Sequence, residues 1–309
     1  MLREMAVAAI STSQLTKDYG AGRGLFDLGL HVSQQEVFGY LGPNGSGKTT
    51  TIRLLMGMIR PTNGSAHVFG LDCVRDAMEV KRKVGYLPGD IPQFGSLRGD
   101  EVVAYLGGMR GGVDRRHVRA IAERFDLDLN RRFREYSSGN KQKLGILLAF
   151  MHRPELLILD EPTSGLDPLN QQEFYELLRE TRAGGATIFL SSHVLSEVEH
   201  VCDRVGILRR GRLVKVAELG ELTRIRVHHV EVEFAPGEEV PAERLRAAEG
   251  VEDLSVEGQR LRCTVHGNFD ALLEAISGSR VIDLVSTEPS LEEFFLSFFG
   301  EPKPKALPS

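Results

Sequence analysis

The sequence predicts an α/β fold: a parallel, helix-covered sheet, followed by a smaller α+β module. Three observations carry this. Apolar runs of strand character alternate with helical stretches through about the first 220 residues. One of those runs leads directly into a glycine-rich turn and then a helix. Past residue 222 the alternation changes to the order β-α-β-β-α-β.

In chain order, "EVFGYLG" reads as a buried strand and "KTTTIRLLMGMI" as the helix after the glycine-rich turn. That helix stops at Arg60-Pro61, with a turn at Asn63-Gly64. Further strands are expected at "KVGYL", "LLILD", "ATIFLSS" and "RVGILRRGRLV". Helices are expected at "DEVVAYLGGM", "RRHVRAIAERFDL", "KLGILLAFM", "NQQEFYELLRETR" and "VLSEVEHVC". In the second region "HHVEVEF", "VEDLSVEG", "QRLRCTV" and "RVIDLVSTE" are strands, with "PAERLRAAEG" and "NFDALLEAIS" as helices. This order suggests a ferredoxin-like split βαβ module, closed by the phenylalanine-rich helix "SLEEFFLSFFG". The rings of Phe294, Phe295, Phe298 and Phe299 are expected against their own domain or a dimer mate rather than a membrane surface. The division is residues 1–222, residues 223–300 and a flexible, proline-rich tail at 301–309.

Bulk properties narrow the function. The 309 residues carry 41% hydrophobic and 26% charged side chains, enough apolar mass for a real core. A net charge of −5 gives no basic footprint for nucleic acid. Cys73, Cys202 and Cys263 lie far apart with no metal-like spacing, which fits free thiols in a reducing compartment. The longest apolar run, "LGILLAFM", is far short of the roughly 20 residues that cross a bilayer, and the N-terminus is too weakly apolar for a signal peptide. Any membrane role is expected to come through a partner.

The strongest chemical signal is "GPNGSGKTT", which matches G-x-x-x-x-G-K-[ST] from Gly42 to Thr49 between a strand and a helix. Gly42, Gly45 and Gly47 let the backbone wrap so that successive N–H groups form an anion nest. The helix starting at Lys48 adds the positive end of its dipole. Lys48 suits the β- and γ-phosphates of a nucleotide and the Thr49 hydroxyl suits Mg²⁺. The whole stretch, with Pro43, Asn44, Ser46 and Thr50, is the candidate nucleotide cradle. A second piece is "LLILDEPTSGLD", a buried strand ending in Asp160 and Glu161, where open α/β sheets place their ligands. Asp160 suits the Mg²⁺ shell; Glu161 is placed to take a proton from an attacking water. A third is "YSSGNKQK", where Ser137 is expected to cap a helix N-terminus and offer a further anion site.

Together these motifs resemble the ATPase subunit of an ATP-binding cassette (ABC) transporter over roughly residues 10–220. The resemblance implies a P-loop NTPase cassette with a helical subdomain. The family signature L-S-G-G-Q corresponds to "YSSGN", matched at Ser137 and Gly139 and departing at Tyr136, Ser138 and Asn140. It implies that Ser137 and Gly139 close on the γ-phosphate of ATP held by a second copy, so that a head-to-tail dimer sandwiches two ATP molecules. Tyr19 resembles the aromatic that stacks on adenine, Asp167 in "SGLD" the loop linking the two sites, and His193 the switch histidine that contacts the γ-phosphate. One piece departs: the glutamine expected after "VGYL" is replaced near Gly89, with Asp90 or Gln93 as substitutes. "YLPG", the tail module and "EPSLEEFFLSFFG" resemble the drug-resistance exporter branch, which implies a separate integral membrane permease and a place on the cytoplasmic face of the cell membrane. The competing class, a cassette ATPase of translation or DNA repair, usually carries paired cassettes or a long coiled-coil insertion, and neither is seen here.

Overall fold

A computed structural model of the chain describes residues 8–219 and 227–287. The chain divides into two compact units, Met1–Ala217 and Glu218–Ser309.

The first unit is organised by three strands that are buried along their whole length: β3 (Val37–Leu41), β7 (Leu156–Asp160) and β8 (Thr187–Ser192). With β6 (Val84–Leu87), β9 (Arg204–Arg209) and β10 (Arg212–Glu218) they form a six-stranded sheet ordered β10-β9-β3-β8-β7-β6. β3 pairs in parallel with β8 and β9, and β7 with β6 and β8. A parallel strand covered on both faces has no solvent side, hence the unbroken apolar runs in the sequence. The run "RVGILRRGRLV", expected as one strand, is two. Arg210 and Gly211 both have positive φ, 47° and 74°, so an extended chain cannot pass through them.

The sequence reading did not anticipate a second, antiparallel sheet ordered β2-β1-β4-β5, from β1 (Ile10–Asp18), β2 (Gly24–Val32), β4 (Asn63–Val68) and β5 (Leu71–Asp72). Its signal is broken by irregularity. Gln14 and Asp27 are left-handed, with φ of 45° and 50°. The β1–β2 register shifts between Thr12 and Leu15 and again between Leu15 and Lys17, which erases the two-residue alternation of a regular strand. One core draws on both sheets and on helix α1 (Lys48–Leu55): Leu15 and Leu28 join Phe38, Tyr40, Ile158, Phe189, Ile52 and Leu55.

Helices α2 (Ala77–Lys83), α3 (Gly99–Gly108), α4 (Arg115–Arg124) and α5 (Ser138–Phe150) follow between the sheet strands. α5 packs on α3, α4 and β6. Its approach to the end of β6 depends on Gly145, where a Cβ would lie 2.4 Å from Ile91 Cδ1 and 2.7 Å from Leu87 Cδ1. α6 (Pro168–Ala183) and α7 (Leu195–Val201) complete the unit.

In the second unit β11 (Val227–Phe234), α8 (Ala242–Ala247), β12 (Val251–Glu257), β13 (Arg260–His266), α9 (Asp270–Ile276) and β14 (Val281–Thr287) follow in that order. The sheet order is β12-β13-β11-β14 and every neighbouring pair is antiparallel. Val230, Val232, Leu261 and Cys263 pack with Leu245 and Leu272 of the two helices. Alternate strand residues instead pair in solvent, with Arg262 Nε 3.0 Å from Glu231 Oε2. The expected phenylalanine-rich helix and the tail at 301–309 lie outside the described residues. Among the described residues no helix is long and apolar enough to cross a membrane.

Candidate functional site

The loop between β3 and α1 opens onto a cleft of about 520 Å³. Pro43 through Thr50 line it, together with Tyr19 from the end of the β1 hairpin and Glu161 from the end of β7. The structure therefore brings into one cleft the loop, the aromatic and the carboxylate that the sequence singled out. Gly45 and Gly47 serve by conformation, with φ of 78° and 113°. Gly42 serves by closeness instead: a Cβ there would lie 2.5 Å from Leu208 O and 2.6 Å from Ser46 Oγ. Tyr19 is 49% exposed at the cleft, with Lys17 Nζ 5.5 Å over its ring.

Lys48 is buried, with Nζ donating to Gly42 O at 2.5 Å and lying 3.1 Å from Glu161 Oε1. The other oxygen, Glu161 Oε2, is 2.7 Å from His193 Nδ1. Lysine, glutamate and histidine thus form one contiguous row of side chains. Glu161, just past the end of β7, sits in the left-handed region at φ 50°, and its own N–H donates to Ser191 O at 3.2 Å. A strained carboxylate at the mouth of a cleft is the kind of outlier that marks function.

Asp160, 2% exposed, accepts from Thr49 Oγ1 at 2.9 Å and from Ser191 Oγ at 2.5 Å. Ser191 was passed over in the sequence, although the pair of serines ending an otherwise apolar strand is a visible signal. Gln142 on α5 was also passed over. It is buried and donates to Pro162 O at 2.8 Å, tying the signature helix to the loop after Glu161. Glu197 does similar work, accepting from Thr163 Oγ1 and, at 2.6 Å, from Ser192 Oγ beside His193.

Ser137, Gly139 and Asp167 are not among the residues that line the cleft. Ser137 caps α5, accepting from Asn140 N at 3.2 Å. Asp167 caps α6, accepting from Asn170 N at 3.0 Å, and that bond holds its carboxyl below the usual range. The two helix tips are neighbours: a Cβ on Gly139 would meet Gly165 O at 2.9 Å. Tyr136, a departure from the family pattern, is an anchor, buried with its hydroxyl donating to Asp128 O at 2.7 Å. Gly89 stands where the glutamine was expected, and a Cβ there would be 3.4 Å from Asp160 Oδ2. Asp90 and Gln93 are exposed.

The residues fit a nucleoside triphosphate. Ser46 Oγ is buried in the cradle without a hydrogen-bond partner among the described residues, so the loop carries a polar atom that an anion would satisfy. The Thr49 and Asp160 oxygens are hard donors suited to Mg²⁺. Among the described residues there is no cluster of three or more His, Cys, Asp or Glu, so these two would share the ion with phosphate oxygens.

Comparison with known proteins gives the family. The ABC transporter family model matches residues 25–164. The chain is 33% identical over 297 residues to the bacitracin transport ATP-binding protein BcrA of Enterococcus faecalis, covering 94% of this chain and 96% of that one. It is 33% identical to the daunorubicin resistance ATP-binding protein DrrA3 of Streptomyces coeruleorubidus, covering 96% and 98%. A solved ATP-binding subunit of an ABC transporter superposes with a TM-score of 0.64 at 30% identity, over 70% of this chain and 92% of that one. The chain belongs to the ABC transporter family, as one of its ATP-binding, ATP-hydrolysing subunits.

Proposed function

We propose that two copies of this chain close head to tail around two ATP molecules, and that closure drives a separate membrane permease that exports drug-like molecules. The observation that carries this is the division of the motif residues. Cradle, Tyr19 and Glu161 share one cleft, whereas Ser137 and Gly139 lie outside it at a capped helix tip. A phosphate-seeking tip outside its own cleft suits the cleft of a second copy.

In this reading adenine stacks on Tyr19 and the backbone amides of residues 42–49 hold the phosphates. Lys48 exchanges part of its contact with Glu161 for phosphate oxygens, which frees that carboxylate to accept a proton from the attacking water. His193 orients Glu161 through the 2.7 Å contact and stands ready for the terminal phosphate. Thr49 and Asp160 would hold Mg²⁺, which neutralises phosphate charge when bound. Ser137 and Gly139 of the partner seal the γ-phosphate, and Asp167 links one site to the other.

A groove of about 1000 Å³ suits the permease. Met56, Met58, Met78, Met109, Ile91 and Phe94 line it, and flexible methionines pack well against an irregular helical partner. The segment Pro88–Pro92 forms part of that wall, lies against Asp160 at Gly89 and against α5 at Gly145. This segment, not a glutamine side chain, would pass nucleotide occupancy to the permease. Such docking would place the chain on the cytoplasmic face of the membrane. The relatives named for bacitracin transport and daunorubicin resistance support a drug-like cargo. The strand order of the second unit supports a ferredoxin-like reading, as an accessory to the dimer or its regulation. Affinity capture of the chain from membranes tests the proposal. A hydrophobic permease in the eluate is the expected result; capture with ribosomes or DNA instead would favour a cassette ATPase of translation or repair.

A further inference from the structure

Three glycines meet beneath the phosphate loop: Gly24 at the start of β2, Gly47 before α1 and Gly211 in the turn between β9 and β10. A Cβ on Gly211 would lie 2.2 Å from Gly24 O, and one on Gly47 3.4 Å from Gly24 O and 3.6 Å from Gly211 Cα. Gly211 N donates to Ser46 O at 2.8 Å and Phe26 N donates to Gly211 O at 2.7 Å. The junction locks the β1–β2 hairpin, the phosphate loop and the β9–β10 turn together.

In two of these loops the residue before the junction glycine is an arginine, Arg23 and Arg210. Both line the nucleotide cleft alongside Tyr19 and Lys48. Neither side chain has an ion-pair or hydrogen-bond partner among the described residues. Arg212, two residues on from Arg210, is by contrast paired with Asp27 at 3.0 Å. Arg210 is held at φ 47°, a conformation a non-glycine residue adopts at some cost and keeps only when its surroundings impose it. Arg23 belongs to the base end of the cleft, since its carbonyl accepts from Tyr19 N at 2.9 Å. Lys48 extends toward the opposite end, 3.1 Å from Glu161.

We infer that Arg23 and Arg210 are binding residues for the phosphate nearest the nucleoside, the α-phosphate, held between the ring on Tyr19 and the ammonium of Lys48. A guanidinium offers paired N–H donors that match two phosphate oxygens, and two of them here lack protein carboxylates to satisfy. The inference rests on the nucleotide site proposed above. Because ATP and ADP share the α-phosphate, both lose the same contacts when the arginines are removed.

The test is ATP and ADP affinity by calorimetry, with Mg²⁺ present throughout, for the wild-type chain and the double variant Arg23→Ala/Arg210→Gly. Glycine is chosen at position 210 because it accepts the left-handed backbone without strain. Thermal melting of each variant reports whether the fold is retained, and Arg210→Lys separates charge from the bidentate fork. The expected result is a loss of about 10- to 100-fold for both nucleotides in the folded double variant, with Arg210→Lys intermediate. Unchanged affinity in a folded double variant overturns the inference. So does a loss confined to ATP, which would put the arginines on the γ-phosphate. If the double variant unfolds, the same comparison is made on the single variant Arg23→Ala, with an equal loss for both nucleotides expected and no loss overturning. A wild-type chain that binds neither nucleotide would instead remove the underlying site.

Discussion

Thr49 Oγ1 donates to Asp160 Oδ2 at 2.9 Å, joining the first turn of α1 to the end of β7 across 111 residues of sequence. The bond places a hydroxyl and a buried carboxylate side by side where the cradle opens. One residue on, Glu161 turns away from Asp160 through its left-handed backbone and meets Lys48 and His193 instead. Two consecutive acids therefore have different neighbours and different chemistry.

Glu161→Gln separates those roles. The amide keeps size and polarity but cannot accept the proton of the attacking water. Steady-state ATP turnover is expected to fall by about 10²- to 10⁴-fold while ATP affinity stays within a few-fold of wild type. Parallel turnover and binding measurements check this, and a variant that turns over normally removes Glu161 from the role.

Gly211→Ala tests the glycine junction as a structural element. The added methyl would meet Gly24 O at 2.2 Å, on a residue whose φ of 74° already disfavours a side chain. A destabilisation of roughly 1–3 kcal/mol is expected from overpacking and backbone strain. Urea unfolding monitors it. Stability equal to wild type would mean that the three loops are not tightly locked.

His152 gives a pH dependence. Burial, with the nearby Arg110 charge adding to it, pushes its pKa from 6.5 down to about 4, so the folded chain keeps the ring neutral. Its Nε2 lies 3.3 Å from Val84 O and its Nδ1 is buried without a partner among the described residues. Below pH 6.5 the unfolded chain takes up a proton that the folded chain refuses until about pH 4, so stability falls across that window. His152→Gln is expected to flatten this part of the stability profile, as read from urea midpoints between pH 7 and pH 4. An unchanged slope would assign the acid sensitivity to other groups.

How much of this was legible in the sequence follows from what kind of signal each part leaves. The cradle is local: Gly42 to Thr49 is a fixed spacing that needs its strand and helix only as neighbours, and both stand where expected. The buried strands were legible because covering both faces of a parallel sheet demands apolar residues throughout. The antiparallel sheet was not legible, because Gln14 and Asp27 interrupt the alternation that announces such strands. The β9–β10 turn was hidden for a related reason, since Arg210 is a poor advertisement for a left-handed residue. Ser191 and Gln142 escaped because their work is done across 31 and 20 residues, on partners that only the fold brings near.

The central claim is that each ATP is held by one copy and sealed by the other, and complementation tests it most directly. Lys48→Ala disables the cradle and leaves the Ser137 tip intact; Ser137→Arg blocks the tip and leaves the cradle. Each variant alone is expected to be inactive. When the two are mixed, a dimer of one of each has one site with an intact cradle and an intact partner tip. Recovery of ATP turnover in the mixture is the predicted result. A mixture as inactive as its parts, although the two variants are shown to associate in the presence of ATP, would contradict the shared site.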